Sequence, residues 1–224
     1  MSKKNDCKLW KGLDVSWLPK KLPAYSDAEV VAIDSYEAAL AKQLEKKPKR
    51  FSHSLSVGLV AERLAITYGI DPYSARVAGI LHDWSKGLPK NELLDRASAL
   101  GIDLGVDYSL VEPVLHGMVA ARELPGIFPE LSSEVLQAIE RHTLGDSHMS
   151  PLDMLIFVAD GIEPLRKNAP AIVSQRNHAG SISLADLFWE SFADGVSYVI
   201  DTRRYLYPGT LNIYNELVLS RAAN

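Results

Sequence analysis

The chain has 224 residues, of which 47% are hydrophobic, which suits one globular domain with a sizeable core. Its formal net charge of −4 argues weakly against a nucleic-acid partner, and the single cysteine, Cys7, excludes an intramolecular disulfide and a metal site built from cysteines. No run of about 18 apolar residues predicts a membrane span, and no apolar signal-peptide core follows the first residues. A cytoplasmic protein without membrane contact is therefore expected.

Cap residues and prolines predict helices from the start of the chain onward. Residues 1–25 lack periodicity and are expected to form an extension that is partly ordered by its tryptophans. Ser26 with Glu29 forms a capping box, which predicts a helix that ends near Pro48. The next helix is predicted over about residues 50–68 from apolar residues at helical spacing.

Similar signals continue to the C-terminus. Asp71 followed by Pro72 predicts the start of the helix that carries His82. The later predicted helices run from Pro89 to Gly101, over residues 110–124 with His116, from Ser132 or Ser133 to His142, from Ser150-Pro151 through Asp160, from Ser183 toward Arg203, and onward from Pro208-Gly209. With no competing strand pattern, the prediction is an all-α fold, a single helical bundle with its site in the core between helices.

Four of the six histidines and two aspartates lie in segments that otherwise have the pattern of buried helix faces. His142 follows Ala138 and Ile139 at helical spacing, and Asp160 follows the apolar run 155–159. A single core histidine is more often a hydrogen-bonded structural residue, but a whole set of buried polar groups needs a common partner. Nitrogen and carboxylate donors favour metal ions in that role. The six candidate metal ligands are His53, His82, Asp83, His116, His142 and Asp160.

The motifs around these residues extend over about residues 48–220. They are KRFSH at 49–53, AGILHDWSK at 78–86, HG at 116–117, RHTLG at 141–145, MSPLD at 149–153 and FVADGIEPLR at 157–166. In this order they resemble the HD-domain superfamily of metal-dependent phosphohydrolases, and within it the YqeK-like branch of symmetrical bis(5'-nucleosyl)-tetraphosphatases. The expected organisation is an N-terminal extension and leading helix over 1–47 and a catalytic HD domain over 48–224.

The resemblance also implies a division of the ligands between two ions. One ion would be held by His53, His82, Asp83 and Asp160, and the second by His116 and His142, with Asp83 bridging. The implied reaction is symmetrical hydrolysis of diadenosine tetraphosphate to two ADP by a hydroxide that bridges the metals. Two divalent or mixed-valence ions are expected. Iron is the expected metal, and manganese, nickel and cobalt suit the same ligands.

A polyphosphate substrate requires cations beyond the metal ions. Lys86 lies three residues after Asp83 and is the favoured phosphate-binding and catalytic candidate beside Asp83. The further substrate-binding candidates are Arg50, Arg141, Arg166 and His148. For the three arginines, a surface charge or a structural ion pair is nearly as plausible a role. For His148, a solvated loop is the simpler interpretation, and Asp146-Ser147-His148 departs from the basic residue and glycine that the family often has there.

Two alternative functions stay open at this point. The enzyme could act on another nucleotide, such as a cyclic nucleotide or a nucleoside phosphate. The chain could instead be a non-catalytic nucleotide-binding regulator with structural metals, although a complete set of ligands for two ions argues against a purely structural site. A helical surface and the tryptophan-bearing extension allow a homodimer.

Overall fold

The computed structural model describes residues 9–222, a range that leaves out Cys7. Its helices are α1 (Asp27–Gln43), α2 (Pro48–Tyr68), α3 (Pro72–Leu81), α4 (Lys90–Ala99), α5 (Tyr108–Val111), α6 (Leu115–Glu123), α7 (Ser133–Arg141), α8 (Pro151–Ile162), α9 (Pro170–His178), α10 (Leu184–Asp201) and α11 (Pro208–Ala222). Short 3₁₀ turns cover Trp84–Gly87, Glu112–Val114 and Leu124–Gly126. No β-strand occurs within residues 9–222, so the all-α prediction is confirmed. No helix in this range is both long enough and apolar enough to cross a membrane.

The predicted helix starts are confirmed by side-chain caps. Ser26 and Glu29 form the predicted capping box at the start of α1. The Asp71 carboxylate accepts hydrogen bonds from two backbone amides in the first turn of α3, and Ser150 and Asp153 form a second capping box at the start of α8. These caps satisfy amides that a helix cannot satisfy by itself, so they fix where α3 and α8 begin.

The prediction of one continuous helix over residues 110–124 is wrong. The segment is divided into α5, the 3₁₀ turn Glu112–Val114 and α6. Pro113 lies at the break, because proline has no amide hydrogen to donate and its ring clashes with the carbonyl one turn earlier. The break places His116 in the first turn of α6 rather than in the middle of a long helix.

Helix α9 was not predicted from the sequence. Pro170 occupies a first-turn position, but Ala169 provides no side-chain cap, so the usual signal for a helix start is missing. His178 is the last residue of this helix. Its side chain is on the surface, and its Nδ1 lies 2.9 Å from a carboxylate oxygen of Glu190.

Helices α2 and α3 pack closely against each other in the core. A Cβ on Gly79 of α3 would lie 2.6 Å from the Cα of Gly58 in α2, so residue 79 has no room for a side chain, and a Cβ on Gly58 would lie a tight 3.1 Å from the Arg76 carbonyl oxygen. The absence of a side chain at residue 79 therefore permits the close approach of the two helices next to His82. As a result, the end of α3 lies directly against the face of α2 that carries His53.

Residues before the HD motifs pack into the same core as the later helices. Tyr36 and Leu40 of α1 belong to one buried cluster with residues of α2, α3, α7, α8 and α10. Trp10 is buried, and its indole donates a 2.7 Å hydrogen bond to the Ser56 hydroxyl on α2. The expected ordering of the extension by its tryptophans is therefore confirmed for Trp10, while the division of the chain at residue 47 stays a prediction.

Candidate metal centre

Five helices bring the six predicted metal ligands together in the core. His53 lies in α2, His82 and Asp83 follow α3 directly, His116 lies in α6, His142 follows α7, and Asp160 lies in the last turn of α8. All are buried except Asp160, whose side chain is 22% exposed. The site is therefore a buried cluster that is open to solvent on the side of Asp160.

Asp83 lies between two groups of histidines. Its Oδ2 is 3.6 Å from Nε2 of His53 and 3.4 Å from Nε2 of His82. Its other oxygen, Oδ1, is 3.1 Å from Nε2 of His116. Each carboxylate oxygen therefore faces a different part of the cluster, which is the arrangement that a carboxylate shared by two cations requires.

Asp160 and His142 complete the cluster from opposite ends. Asp160 Oδ1 lies 2.9 Å from Nε2 of His53 and 3.8 Å from Nε2 of His82. At the other end, Nε2 of His142 lies 3.0 Å from Nε2 of His116. Two imidazole nitrogens that face each other inside a protein core are satisfied best by a cation that both can bind.

Backbone carbonyl groups orient three of the four imidazoles. Nδ1 of His82 donates to the Gly79 carbonyl over 2.7 Å, and Nδ1 of His142 donates to the Ile139 carbonyl over 2.6 Å. Nδ1 of His116 lies 3.1 Å from the Pro113 carbonyl in the same way. Because a carbonyl accepts the Nδ1 proton of His82 and of His142, Nε2 of each ring has its lone pair directed to the interior of the cluster, as in histidine ligands of metals. Nδ1 of His116 has a second neighbour, Nζ of Lys86, at 3.2 Å.

His53 has a different partner, which the sequence reasoning missed. Its Nδ1 lies 3.0 Å from Oε1 of Glu163, a carboxylate that is almost fully buried just after α8. The available signal was an acidic residue directly after an apolar helix, within the IEP segment of the last motif. A carboxylate behind a ligating histidine fixes the ring and makes it a stronger ligand.

Gly117 allows α6 to approach the end of α7. A Cβ at this position would lie 2.7 Å from the Ile139 carbonyl oxygen and 2.8 Å from Cε1 of His142. The second residue of the HG motif therefore has no side chain because the His142 ring and the backbone beneath it occupy the space. This contact brings His116 and His142 to their short separation.

Burial lowers the pKa values of three histidines in the cluster, but in one of them hydrogen bonds outweigh this effect. Burial lowers the pKa of His142 to about 3 and also lowers the pKa of His116, so both rings are neutral at neutral pH. Burial acts in the same direction on His53, but hydrogen bonds to Asp160 and Glu163 outweigh it and raise its pKa to about 9. A cation that binds His53 must therefore displace a proton, which makes its binding stronger as the pH rises.

Both aspartates of the cluster are ionised. Burial raises the pKa of Asp83, but the nearby His82 and His116 outweigh it and hold that pKa well below the usual value. Burial is likewise outweighed at Asp160, whose pKa is lowered by the charge of Arg166 and by His53. Carboxylates that remain charged in a core are those that have cations as partners.

The cluster fits a divalent metal ion. Nε2 of His82 is buried and makes no hydrogen bond in the described structure, so a polar atom in the middle of the site lacks a partner. Three sets of three ligand atoms lie within 4.8 Å of one another, and the sets are His53, His82 and Asp83; His82, His142 and Asp160; and Asp83, His116 and His142. Histidine nitrogens and carboxylate oxygens at such spacing are typical metal donors.

Three of the predicted phosphate-binding cations lie beside the cluster. Arg50 donates a 2.7 Å hydrogen bond from Nη1 to Oδ2 of Asp83, and Arg166 contacts Asp160 through both a 2.5 Å side-chain bond and a 2.9 Å bond to its carbonyl. Lys86 donates over 2.8 Å to the Pro113 carbonyl beside His116. Burial lowers the pKa of Lys86. Arg50 and Arg166 therefore lie at the His53 end of the cluster, and Lys86 lies at the His116 end.

Arg141 and His148 are directed away from the cluster. Arg141 Nη1 donates to the fully buried Oδ2 of Asp153 over 3.0 Å and to the His148 carbonyl over 2.8 Å. The His148 side chain is 90% exposed and has the Ser147 hydroxyl as its neighbour. Within the described hydrogen bonds and ion pairs, neither side chain reaches the six ligands, so a substrate role for either stays a prediction.

Comparison with known proteins shows similarity to a defined family over much of the chain. The HD domain family model matches residues 50–165. A symmetrical bis(5'-nucleosyl)-tetraphosphatase of Halalkalibacterium halodurans is 35% identical over 176 residues, which cover 77% of this chain and 90% of that protein. A protein of the same name from Staphylococcus aureus is 37% identical over 184 residues, which cover 78% and 93%.

A solved structure shows the same arrangement of helices. It is described as a predicted HD superfamily hydrolase involved in NAD metabolism from Clostridium acetobutylicum. It superposes with a TM-score of 0.75 at 30% sequence identity and covers 89% of this chain and 100% of that one. The chain therefore belongs to the HD-domain family of metal-dependent phosphohydrolases.

Proposed function

We propose that this enzyme hydrolyses diadenosine tetraphosphate symmetrically, to two molecules of ADP, at the buried histidine–aspartate cluster. The observation that carries the proposal is the position of Asp83, whose two oxygens face His53 and His82 on one side and His116 on the other. Relatives that match most of this chain are named for the symmetrical cleavage of such substrates. The relatives' names support diadenosine tetraphosphate as the substrate, and the histidine–aspartate cluster supports metal-dependent hydrolysis as the reaction.

We propose that the six side chains divide between two ions in the way that the family resemblance implies. His53, His82, Asp83 and Asp160 would hold the first ion, and His116 and His142 would hold the second, with Asp83 shared. We propose iron as the metal, and manganese, nickel and cobalt would suit the same donors. A pair of divalent ions supplies a polarised phosphoryl oxygen and a water of lowered pKa.

The residues of the chain would hold the polyphosphate over this centre. Lys49, Arg50 and Arg166 line a cavity of about 400 Å³ that also contains His53. Lys86 adds a fourth cation next to His116. These charges would pair with the phosphate oxygens. The metal ions would supply the attacking water, so no serine or cysteine nucleophile is required. An ADP leaving group departs without a strong general acid.

The proposal is tested with a panel of substrates and the purified, metal-loaded protein. Diadenosine tetraphosphate, NAD, a cyclic nucleotide and a nucleoside monophosphate are supplied separately, and NAD is included because the C. acetobutylicum protein is described as involved in NAD metabolism. Diadenosine tetraphosphate is expected to be the preferred substrate, with ADP as sole product. Preference for another nucleotide would contradict the proposed substrate. If the protein binds these nucleotides but hydrolyses none of them, the result would favour a non-catalytic nucleotide-binding regulator.

Asp83→Ala is the matching variant. It removes the carboxylate that faces both groups of histidines, so turnover is expected to fall to background for every substrate of the panel. If this variant keeps the activity of the wild-type enzyme, the cluster is not the site of hydrolysis.

A further inference from the structure

An aromatic cavity lies next to the cluster and has no part in the proposed metal binding. Its volume is about 410 Å³, within the range of small-molecule sites. Much of its wall comes from α10, the turn after α10 and the start of α11. The aromatic residues of this wall are Phe157, Phe192, Tyr198, Tyr205 and Tyr207.

Two residues of the cavity wall touch the cluster directly. The hydroxyl of Thr143 is 3.1 Å from Nε2 of His142. The carbonyl of Pro113 accepts the 2.8 Å hydrogen bond of Lys86 and lies 3.1 Å from Nδ1 of His116. The cavity therefore adjoins the His116–His142 end of the centre.

The two ends of the centre differ in their surroundings, although each has cations nearby, with Lys86 beside His116. The imidazole rings form a row in which neighbouring centroids lie 5.3 Å apart from His53 to His82, 4.9 Å from His82 to His142 and 4.9 Å from His142 to His116. Arg50 and Arg166 lie at the His53 end. The aromatic cavity lies at the His116 end.

We infer that the aromatic cavity binds the nucleoside of one half of the substrate, while the polyphosphate crosses the row of histidines toward Arg50 and Arg166. This inference rests on the proposed function, since it assigns a place to one end of its substrate. A purine presents a flat π-face that stacks on tyrosine and phenylalanine rings. The cavity wall is mainly apolar and aromatic, and the guanidinium of Arg204, which also lines it, lies over the Tyr198 ring at 5.3 Å. A polyphosphate meets more positive charge at the other end, where Lys49, Arg50 and Arg166 lie together. The two nucleosides of a symmetrical substrate are therefore bound unequally.

Gly195→Leu tests the cavity without removing any existing contact. Gly195 lines the cavity in α10, and a Cβ there would meet no atom within 4 Å, so a leucine would extend into open space. Leucine also favours a helix more than glycine does, so the fold should be kept. Ser197→Leu is the matched control, because it adds the same side chain to an exposed position of α10 that does not line the cavity.

The affinities of ADP and of inorganic tripolyphosphate, a probe without a base, are measured by calorimetry on the metal-loaded enzyme. Gly195→Leu is expected to weaken ADP roughly tenfold, the size of one lost stacking contact, and to leave tripolyphosphate unchanged. Ser197→Leu should behave like the wild-type enzyme. Equal ADP affinity in Gly195→Leu and the wild-type enzyme would overturn the inference, as would an equal loss for both probes.

A second pair of variants keeps the test valid if Gly195→Leu does not fold. Tyr205 is 44% exposed, so Tyr205→Ala removes part of the wall at little cost to stability, while Tyr205→Phe keeps the ring. ADP affinity should fall in the first and be retained in the second, and equal affinity in both would overturn the inference. The proposed function can fail independently of this inference. If the wild-type enzyme does not cleave diadenosine tetraphosphate but the variants bind ADP more weakly, the nucleoside site is supported and the proposed substrate is wrong.

Discussion

At the scale of single residues, the site is held by contacts behind the ligands as much as by the ligands themselves. Carbonyl groups of Gly79, Ile139 and Pro113 fix three imidazoles, and the carboxylate of Glu163 fixes the fourth. A ring that is fixed in this way pays little entropy when it binds a metal. Glu163 is therefore expected to contribute to metal affinity although it does not itself bind the metal.

Glu163→Gln tests this role. The change keeps the size of the side chain but removes the charge that holds His53, so metal affinity should fall roughly 10- to 100-fold, as for other partners of histidine ligands. Competition with a chromogenic chelator measures it. Glu190→Gln is the control, because it alters a second carboxylate–histidine pair, with His178, away from the centre. Equal metal affinity of the two variants would contradict the assigned role.

Replacing Arg141 should affect the stability of the fold, whereas replacing Arg166 should affect substrate binding. Arg141 pairs with the buried carboxylate of Asp153, so Arg141→Ala should lower the free energy of unfolding by about 1–3 kcal/mol and leave the KM for diadenosine tetraphosphate unchanged. Arg166→Ala removes a cation beside Asp160 and should raise that KM. Urea denaturation and steady-state kinetics of both variants measure this. A higher KM in Arg141→Ala with no change in Arg166→Ala would reverse the assignment.

At the scale of helices, the approach of α2 to α3 sets the position of His82 relative to His53. Gly79→Ala places a methyl group 2.6 Å from the Gly58 Cα, so the helices must separate, and unfolding should become easier by about 1–3 kcal/mol. Gly195→Ala is the control, because its methyl group enters open space in a helix and should stabilise by about 0.5–1 kcal/mol. A neutral Gly79→Ala would show that the contact is not needed.

The helices were predictable from the sequence where local signals determine them. The caps at Ser26, Asp71 and Ser150 depend on residues within one turn, and the structure confirms all three. The break at Pro113 also has a local cause, a proline within the segment, but apolar residues continue on both sides of it, so the sequence pattern predicts one helix there. The break also frees the Pro113 carbonyl for Lys86, which lies 27 residues earlier.

The candidate site was predictable as a set of buried polar residues in apolar helix faces, and the structure brings all six together. What the sequence did not reveal was the partner of each. Glu163 lies 110 residues from His53, so no spacing rule connects them. The separation of Arg141 from the centre likewise depends on Asp153, whose burial is a property of the packed fold.

At the scale of the whole molecule, the N-terminal extension is joined to the segment that supports the centre. Arg176 donates hydrogen bonds to the carbonyls of Ile162 and Glu163, over 2.8 and 2.7 Å. Trp17 lies over its guanidinium at 5.7 Å. The extension therefore packs behind the loop that orients His53.

Trp10→Ala tests whether the extension contributes to the stability of the whole fold. The indole is 5% exposed and bonded to Ser56 of α2, so its loss should lower the free energy of unfolding by about 3–5 kcal/mol. Lys11→Ala, at the exposed neighbouring position, should have no measurable effect. If both variants unfold in a single transition with the same free energy of unfolding, the extension does not contribute to the stability of the fold.

The central claim is that six side chains from five helical segments form one dinuclear centre. Anomalous scattering from crystals of the metal-loaded protein, collected at the absorption edge of the bound metal, tests it most directly. The account predicts two peaks about 3.5–4 Å apart, with the Asp83 carboxylate between them, bounded by His53, His82 and Asp160 on one side and by His116 and His142 on the other. A single peak, or peaks outside these six residues, would contradict it.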